Sequence, residues 1–284
     1  TDNIAGALEP QIVYAEHQRA QGKSEQNVDA WDLVIRAMAR IGEFSKSGSA
    51  DALALLDRAI AIDPGYARAH SHKAWTLIWR AFQGWEDMAT ALPMAVDAAD
   101  RAIRHDAEEP WAYIAATLIA VVLGDEQRLL SSARKAIELN PNFAYAHSLF
   151  GAALALSGRG AEGVEWTEKA RRLSPRDIFR EEFDLHAGFA CFQAGDYARA
   201  AAFAAEASMP RPEHLYPHLM LAASYGHLGD FGRANREIQT IQSIAPGCSL
   251  GAFEQNCVYL RPDDKARFIE GLILAGLPAE ADSP

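Results

Sequence analysis

Apolar residues recur at helical spacing through most of the chain, and glycine or proline interrupts them at regular intervals. Between Pro110 and Leu123 the apolar positions follow the helical period, Gly124 and Asp125 break the pattern, and a second amphipathic stretch ends before Pro141. Glycine can close a helix in the left-handed conformation, and aspartate can accept hydrogen bonds from the free N–H groups of the next helix. Because proline cannot continue a helix, this segment predicts two helices joined by a tight turn.

The same unit recurs with a period of 34 residues, since Gly124 superimposes on Gly158 and Pro141 on Pro175 without a gap. Each helix pair leaves one apolar face uncovered, and stacking on neighbouring pairs buries it. We therefore predict an all-α fold, a right-handed α-solenoid of helix-turn-helix repeats with end-capping helices.

The pattern divides the chain into three parts. We predict one N-terminal helix over residues 1–22 and an array of about six helix pairs over residues 28–246. A capping helix with a tail is predicted over residues 247–284. Between Pro64 and Pro141 the chain has nine residues more than two repeats need, and we expect the insertion near residues 82–85. In the capping helix, Pro262 suits the first turn and Gly276 the end.

Composition favours a folded, soluble protein, because 49% of the 284 residues are hydrophobic. No apolar run approaches the roughly 18 residues of a membrane span, and the N-terminus lacks a basic segment followed by an apolar one. We interpret the chain as cytoplasmic. Since it begins at Thr1 rather than at methionine, we expect a processed or excised piece. The cysteines, without a CxxC pair, favour neither a disulfide framework nor a zinc site: Cys191, Cys248 and Cys257.

The formal net charge of −11 repels phosphate backbones, so we expect no nucleic-acid partner. One dense basic run stands at a repeat boundary, and we interpret it as a solvated helix end. It contains Arg171, Arg172, Arg176 and Arg180.

The repeats resemble the tetratricopeptide family. Small residues stand where its helices touch, at Gly151, Gly188 and Ala222. Its second-helix alanines correspond to Ala136, Ala170 and Ala207. Its terminal prolines correspond to Pro141, Pro175, Pro212 and Pro246. The chain departs from the family at the signature tryptophan, where it has His70, Tyr113, His147 and His218.

A narrower resemblance covers almost the whole chain. It is carried by the runs ALEPQIVYAE, NVDAWDLVIRA, ALALLDRAIAIDPGYARAHSHKAW and RPDDKARFIEGLILAGLP. These look like the C-terminal repeat region of bacterial adenylate/guanylate cyclase-like signalling proteins, and related regions follow winged-helix DNA-binding domains. The resemblance implies a regulatory segment whose cyclase domain lies upstream. No equivalent of that domain's metal-binding aspartates is present in this sequence.

Catalytic patterns are missing from the sequence. GxSxG, Walker and HExxH motifs do not occur, and Gly158-Arg159-Gly160, within the glycine-rich run GRGAEG, is a variant repeat turn. His70 and His72 stand two residues apart on a predicted helix and therefore point to different faces, unlike a metal-binding pair at i, i+4. We expect no enzymatic activity, no metal and no cofactor.

In tetratricopeptide arrays the first helix of each pair lines a concave surface, and the resemblance implies a partner groove there. Carried over to this sequence, the groove consists of Arg68, Ser71, Trp75, Trp79, Trp111, Tyr145, Ser148, Tyr216 and His227. Aromatic residues and arginine are favoured anchors at interfaces. The alternative is that Trp75 and Trp79 bury each other as core residues.

We therefore expect a noncatalytic scaffold that binds a protein or peptide: an extended segment, a protein helix or its own upstream effector domain. A second hypothesis is a homo-oligomerisation module or structural spacer with a filled groove. A third is an enzyme, which would need a deep pocket with two titratable groups within hydrogen-bond reach.

Overall fold

The structure is a computed structural model that describes residues 29–256 and 260–280. The described residues are all-α and include no strand. Their helices are α1 (Ala30–Ile41), α2 (Lys46–Ile62), α3 (Ala67–Phe82), α4 (Met88–His105), α5 (Pro110–Leu123), α6 (Glu126–Leu139), α7 (Ala144–Leu156), α8 (Gly160–Leu173), α9 (Arg180–Gln193), α10 (Tyr197–Ser208), α11 (Leu215–His227), α12 (Phe231–Ile244), α13 (Leu250–Asn256) and α14 (Pro262–Ala275). The helix predicted over residues 1–22 lies outside the described residues.

The helices form two compact units, each described by itself. The first comprises the chain up to Ala146 and Leu173–Ile178, and the second comprises His147–Arg172 and the chain from Phe179 onward. In the first unit α1 packs on α2, α3 on α4 and α5 on α6, and α3 also contacts α5. In the second unit α9 packs on α10 and α11 on α12, and α14 lies against α11.

The predicted glycine–aspartate turn is confirmed. Gly124 ends α5 in the left-handed conformation, with φ of 68°. Asp125 begins α6 by accepting a hydrogen bond from the Arg128 backbone N–H at 2.9 Å. The same arrangement joins α9 to α10 at residues 195–196 and α11 to α12 at residues 229–230. Local chemistry therefore specifies these turns.

Small residues allow the helices to approach closely, as the sequence predicts. A β-carbon on Gly151 of α7 would lie 2.6 Å from the carbonyl oxygen of Gly163 in α8, so the two backbones touch. A β-carbon on Gly188 would lie 3.3 Å from the carbonyl oxygen of Ala200. Ala136 and Ala222 are fully buried. A larger side chain at such a contact would push the helices apart.

Polar side chains at three of the signature tryptophan positions tie each repeat to the chain before it. Each donates a hydrogen bond to the carbonyl oxygen six residues earlier: His70 to Pro64 (2.9 Å), Tyr113 to Ala107 (3.0 Å) and His218 to Pro212 (2.9 Å). At these three boundaries a hydrogen bond therefore accompanies the departure from the family pattern.

The extra length of the second repeat lies only partly where the sequence predicts it. Helices α3 and α4 have 16 and 18 residues, whereas α5 and α6 have 14 each. The turn between α3 and α4, residues 83–87, is also longer than the turn at residues 124–125. The insertion therefore lengthens both helices as well as the turn.

The end of the described chain contains one predicted and one unpredicted helix. Helix α14 begins at Pro262 and is closed by Gly276, whose φ is 91°, as predicted. A β-carbon on Gly271 of α14 would lie 2.6 Å from the carbonyl oxygen of Ala223, so α14 packs closely on α11. The short helix α13 was not predicted, because its seven residues are too few to show a helical period.

Candidate interaction surface

The aromatic residues predicted for the groove in the first unit pack against one another. We call their assembly the aromatic cluster; it consists of Phe44, His72, Trp75, Trp79, Trp85, Trp111, Phe143 and Tyr145. Trp75 and Trp79 stack with centroids 5.7 Å apart, and Trp111 stacks on Tyr145 at 5.6 Å. Trp75 is only 1% exposed, and the other three are nearly as buried. Aromatic contacts of this kind contribute to stability beyond the area that they bury.

Arg68 and Ser71, the other predicted groove residues of this unit, are also bound internally. Arg68 donates through Nε to the Glu109 carboxylate at 3.0 Å, and Glu109 accepts the backbone N–H of Trp111 at 3.1 Å. Ser71 is buried and donates to the carbonyl oxygen of Arg68 at 2.9 Å. The side chain of Arg68 is about one-third exposed.

His72 is a neutral member of the aromatic cluster. Its Nδ1 lies 2.9 Å from the carbonyl oxygen of Arg68, which can only accept, so Nδ1 carries the proton. Burial, and then the charge of Arg68, lower the pKa of His72 to about 3. His72 Nε2 and the indole N–H of Trp79 are both buried without a hydrogen-bond partner. The cluster therefore carries one unused acceptor and one unused donor.

The predicted groove residues of the second unit have different surroundings. Ser148 is buried and hydrogen-bonded to Nδ1 of His186 at 2.9 Å. His227 stacks on Tyr197 at 4.3 Å and donates through Nε2 to the carbonyl oxygen of Arg267 at 2.8 Å, which ties α11 to α14. Tyr216 differs from both, because its side chain is 41% exposed near the start of α11.

A charged network that the sequence analysis missed lies beside Tyr216. Arg211 binds both oxygens of the Glu181 carboxylate, at 2.5 and 2.6 Å, and His214 Nδ1 lies 2.6 Å from the same carboxylate. The ring of His214 is 5.9 Å from that of Tyr216. Burial opposes ionisation of Glu181, but the bonds from His214 and Arg211 prevail and lower its pKa. No sequence motif signals this network, because its residues lie about 30 positions apart.

The basic run at the repeat boundary is only partly a solvated helix end. Arg172 is exposed, as expected. Arg171 and Arg180 instead form ion pairs with the buried carboxylate of Asp184, at 2.7 and 3.0 Å. The solvated interpretation is therefore wrong for these two residues: helix packing brings Asp184 of α9 within reach of Arg171, and Arg180 pairs with the same carboxylate one turn along its own helix.

The described residues contain neither a metal site nor a membrane-spanning helix. Within residues 29–256 and 260–280, no group of three or more His, Cys, Asp and Glu side chains could hold a metal ion. In the same part of the chain, no helix combines the length and apolarity needed to cross a bilayer.

Solved structures identify the fold. The chain is similar to a thermophilic TPR protein of Thermus thermophilus, with a TM-score of 0.52, 18% identity and coverage of 69% of this chain and 98% of that one. It is similar to the type IV pilus biogenesis factor PilW, with a TM-score of 0.54, 18% identity and coverage of 72% and 88%. The chain has a tetratricopeptide-repeat (TPR) fold. The Cut9–Hcn1 hetero-tetramer of the APC/C matches 95% of this TPR chain at 13% identity, with a TM-score of 0.64 over 47% of the other chain.

Sequence comparison matches a smaller part of the TPR chain than structural comparison does. No model of a known protein family matches it. One curated relative, "Putative adenylate cyclase 3" of Rhizobium meliloti (strain 1021), is 29% identical over 111 residues. The match covers 39% of this chain and 19% of that protein. The chain thus spans about one-fifth of the length of the relative that it matches.

Proposed function

We propose that this TPR chain is a noncatalytic protein-interaction module that binds a peptide, a protein helix or an effector domain along the first helices of its pairs. The observation that carries the proposal is the exposed Tyr216 on α11, beside the fixed network of Arg211, Glu181 and His214. Tyrosine is a favoured interface anchor. It contributes more to the binding free energy when neighbouring side chains are already ordered, because less conformational entropy is lost on binding.

The network supports this role because it does not need to rearrange on binding. Arg211 is held by two bonds to Glu181, and His214 is held by a third, so these side chains lose little conformational entropy when a partner arrives. Tyr216 itself has an apolar ring with a polar tip, and the residue is 41% exposed. A partner segment with an apolar side chain and a neighbouring polar group fits this surface.

In the first unit we propose that fewer residues contact the partner than the predicted groove contains. Trp75, Trp79, Trp111 and Tyr145 are buried, so their role would be to hold the first helices rigid. Arg68 has the accessible area with which to reach a partner. The groove as a set of nine contact residues stays a prediction.

We further propose that the partner is the effector region of a cyclase-like signalling protein. The 111-residue similarity to the Rhizobium protein supports this, as does the resemblance of the repeat runs to cyclase-associated repeats. The chain would then regulate catalysis without performing it. A nucleic-acid partner is not proposed, because the net charge is −11.

A second candidate function is self-association as a spacer. The filled aromatic cluster favours it, because rings that are already packed leave little apolar area for a ligand. Exposed apolar side chains on the second helices, such as Phe231 at 59%, would then meet another copy. Sedimentation velocity over a concentration series separates the two: a dimer that is lost on Phe231→Ala supports the spacer, and a monomer excludes it.

The main proposal is tested with two matched variants, Tyr216→Ala and Phe231→Ala. Both remove an exposed aromatic ring from the second unit, but only Tyr216 lies on a first helix. The probes are a displayed library of random peptides, the isolated catalytic region of the Rhizobium relative, and a single-stranded RNA. We expect wild type and Phe231→Ala to bind a peptide or the catalytic region, and Tyr216→Ala to lose about tenfold or more in affinity. No binding to either protein probe, or equal binding by Tyr216→Ala, would reject the proposal.

A further inference from the structure

His218 lies between two groups that can only accept hydrogen bonds. Its Nε2 is 2.9 Å from the carbonyl oxygen of Pro212, and its Nδ1 is 2.7 Å from the carboxylate of Glu237 on α12. The imidazole side chain is only one-tenth exposed, so water does not readily replace either partner. The ring thus connects α11 both to the preceding loop and to α12.

A neutral imidazole carries one N–H and cannot donate to both partners. Both bonds form only if the ring is doubly protonated or if the carboxyl group keeps a proton. The ordinary pKa of histidine is about two units above that of glutamate, so the shared proton resides on the ring. The geometry therefore describes an imidazolium–carboxylate pair.

We propose that His218 is a pH-sensitive clamp, which in its imidazolium form joins α11 both to α12 and to the loop that contains Pro212. When the ring loses its Nδ1 proton, a lone pair faces the Glu237 carboxylate and the bond to α12 is lost. Helix α14 packs on α11, so loosening of α11 reaches the end of the described chain. This clamp does not depend on the partner surface proposed above.

The surroundings of His218 support the assignment. Charged groups on the elements around α11 have partners of their own: Glu181 of α9 with Arg211 and His214 of the loop, Arg180 of α9 with Asp184, Glu206 of α10 with Arg171, Arg199 of α10 with Asp196, Arg233 of α12 with Asp230, and Arg267 of α14 with Asp264. Glu213 and Arg236 are exposed. The bond from Glu237 raises the pKa of His218 above 6.5, although burial opposes the rise.

His70 provides a control within the same chain. It stands at the equivalent repeat position and donates to the Pro64 carbonyl at the same 2.9 Å. His105, Arg101 and Lys73 lie near its ring, and Asp97 lines the same pocket. Burial is the largest cause of its lowered pKa, and the three basic groups lower it further. The two histidines therefore share one structural role but differ in charge.

The sign of the pH effect follows from the raised pKa of His218. A group whose folded pKa exceeds its unfolded value stabilises the fold fully below the unfolded pKa of about 6.5. That stability is lost as pH rises through the folded pKa. The clamp therefore weakens across neutral pH, where histidine is the common switch.

The decisive experiment is an NMR titration of the histidine ring nitrogens in the full chain, labelled with ¹⁵N-histidine, from about pH 5.5 to about pH 9. A His218→Gln variant assigns the resonances. We expect His218 to carry protons on both nitrogens at the acidic end and to titrate above 6.5, while His70 titrates below 6.5. A single protonated nitrogen on His218 throughout, or a midpoint at or below 6.5, overturns the proposal.

Glu237→Gln provides a second, independent readout. The glutamine amide can donate to a neutral Nδ1, so this variant keeps a bond to α12 without needing the ring proton. We expect the fall in thermal midpoint between acidic and alkaline pH to be smaller in Glu237→Gln than in wild type. His70→Asn should not reduce that fall, because the lowered pKa of His70 gives this residue the opposite pH dependence. An equal fall in wild type and Glu237→Gln would show that the pair is not a clamp.

Discussion

The indole N–H of Trp75 donates to the hydroxyl of Tyr145, 3.2 Å away and 70 residues further along the chain. Both side chains are buried. The bond adds a polar contact to the packing of the rings in the aromatic cluster, and it links α3 to the start of α7.

Replacing Tyr145 by phenylalanine should therefore destabilise the chain more than the loss of an exposed hydroxyl would. Tyr145→Phe removes the acceptor of a buried N–H, and we expect the free energy of unfolding to fall by about 1–3 kcal/mol. Tyr113→Phe, which removes an exposed bond, should cost less. Urea denaturation followed by circular dichroism measures both. If Tyr145→Phe costs no more in a wild-type background than in a Trp75→Phe background, the bond contributes nothing.

The glycine contact between α11 and α14 gives a second prediction. A β-carbon on Gly226 would lie 3.1 Å from the backbone nitrogen of Ala275 and closer still to the carbonyl oxygen of Gly271. Gly226→Ala should therefore destabilise the chain by about 1–3 kcal/mol, because the backbones must separate. Gly247→Ala is the matched control, since a β-carbon there meets nothing within 4 Å, and it should change stability by less than about 0.5 kcal/mol. Similar thermal midpoints for the two variants would contradict this packing.

Arg211→Met tests the charged network. The change leaves the Glu181 carboxylate buried without its bidentate partner, and we expect a cost of about 3–5 kcal/mol at neutral pH. Arg172→Met, at an exposed arginine, should be nearly neutral. In wild type the lowered pKa of Glu181 contributes stability above the ordinary carboxylate pKa, which is lost as pH falls through the folded value. Acid unfolding of Arg211→Met should therefore begin at a higher pH than that of wild type, and an unchanged acid midpoint would contradict the assignment.

The chain should make no cyclic nucleotide, despite its similarity to a cyclase relative. Cyclase chemistry requires metal-held phosphates, and the sequence has neither a phosphate-cradling loop nor the family's metal-binding aspartates. Incubation with ATP or GTP and Mg²⁺ or Mn²⁺ should give no product above a protein-free blank, with the catalytic region of the Rhizobium relative as positive control. Cyclase activity that copurifies with the chain over two different columns would refute the prediction.

The turns and the helix ends were predictable because their causes are local. Gly124 takes the left-handed conformation and Asp125 caps the next helix whatever lies elsewhere in the chain. The close helix contacts were predictable for a related reason, since the repeat period places Gly151 and Gly188 opposite the second helix of their own pairs. The TPR fold follows from these two regularities.

The candidate surface was less predictable, because exposure depends on residues that are distant in the sequence. Repeat register places Trp75 and Tyr216 among the same groove positions, yet Trp75 is enclosed by rings from α5 and α7 while Tyr216 is 41% exposed. The pairing of Arg211 with Glu181 likewise required the packing of the second unit.

The sequence by itself determined where helices begin and end and which small residues meet, because hydrogen bonding at caps and steric limits at turns act within a few residues. Only the tertiary structure decided which side chains are buried and which are charged. His70 and His218 occupy the same repeat position and make the same bond to a carbonyl, but burial and nearby positive charges lower the pKa of His70, whereas Glu237 lies within hydrogen-bond distance of His218. Burial and electrostatic fields sum over every neighbour in space, so identical local patterns acquire different protonation states when the folded chain gives them different surroundings.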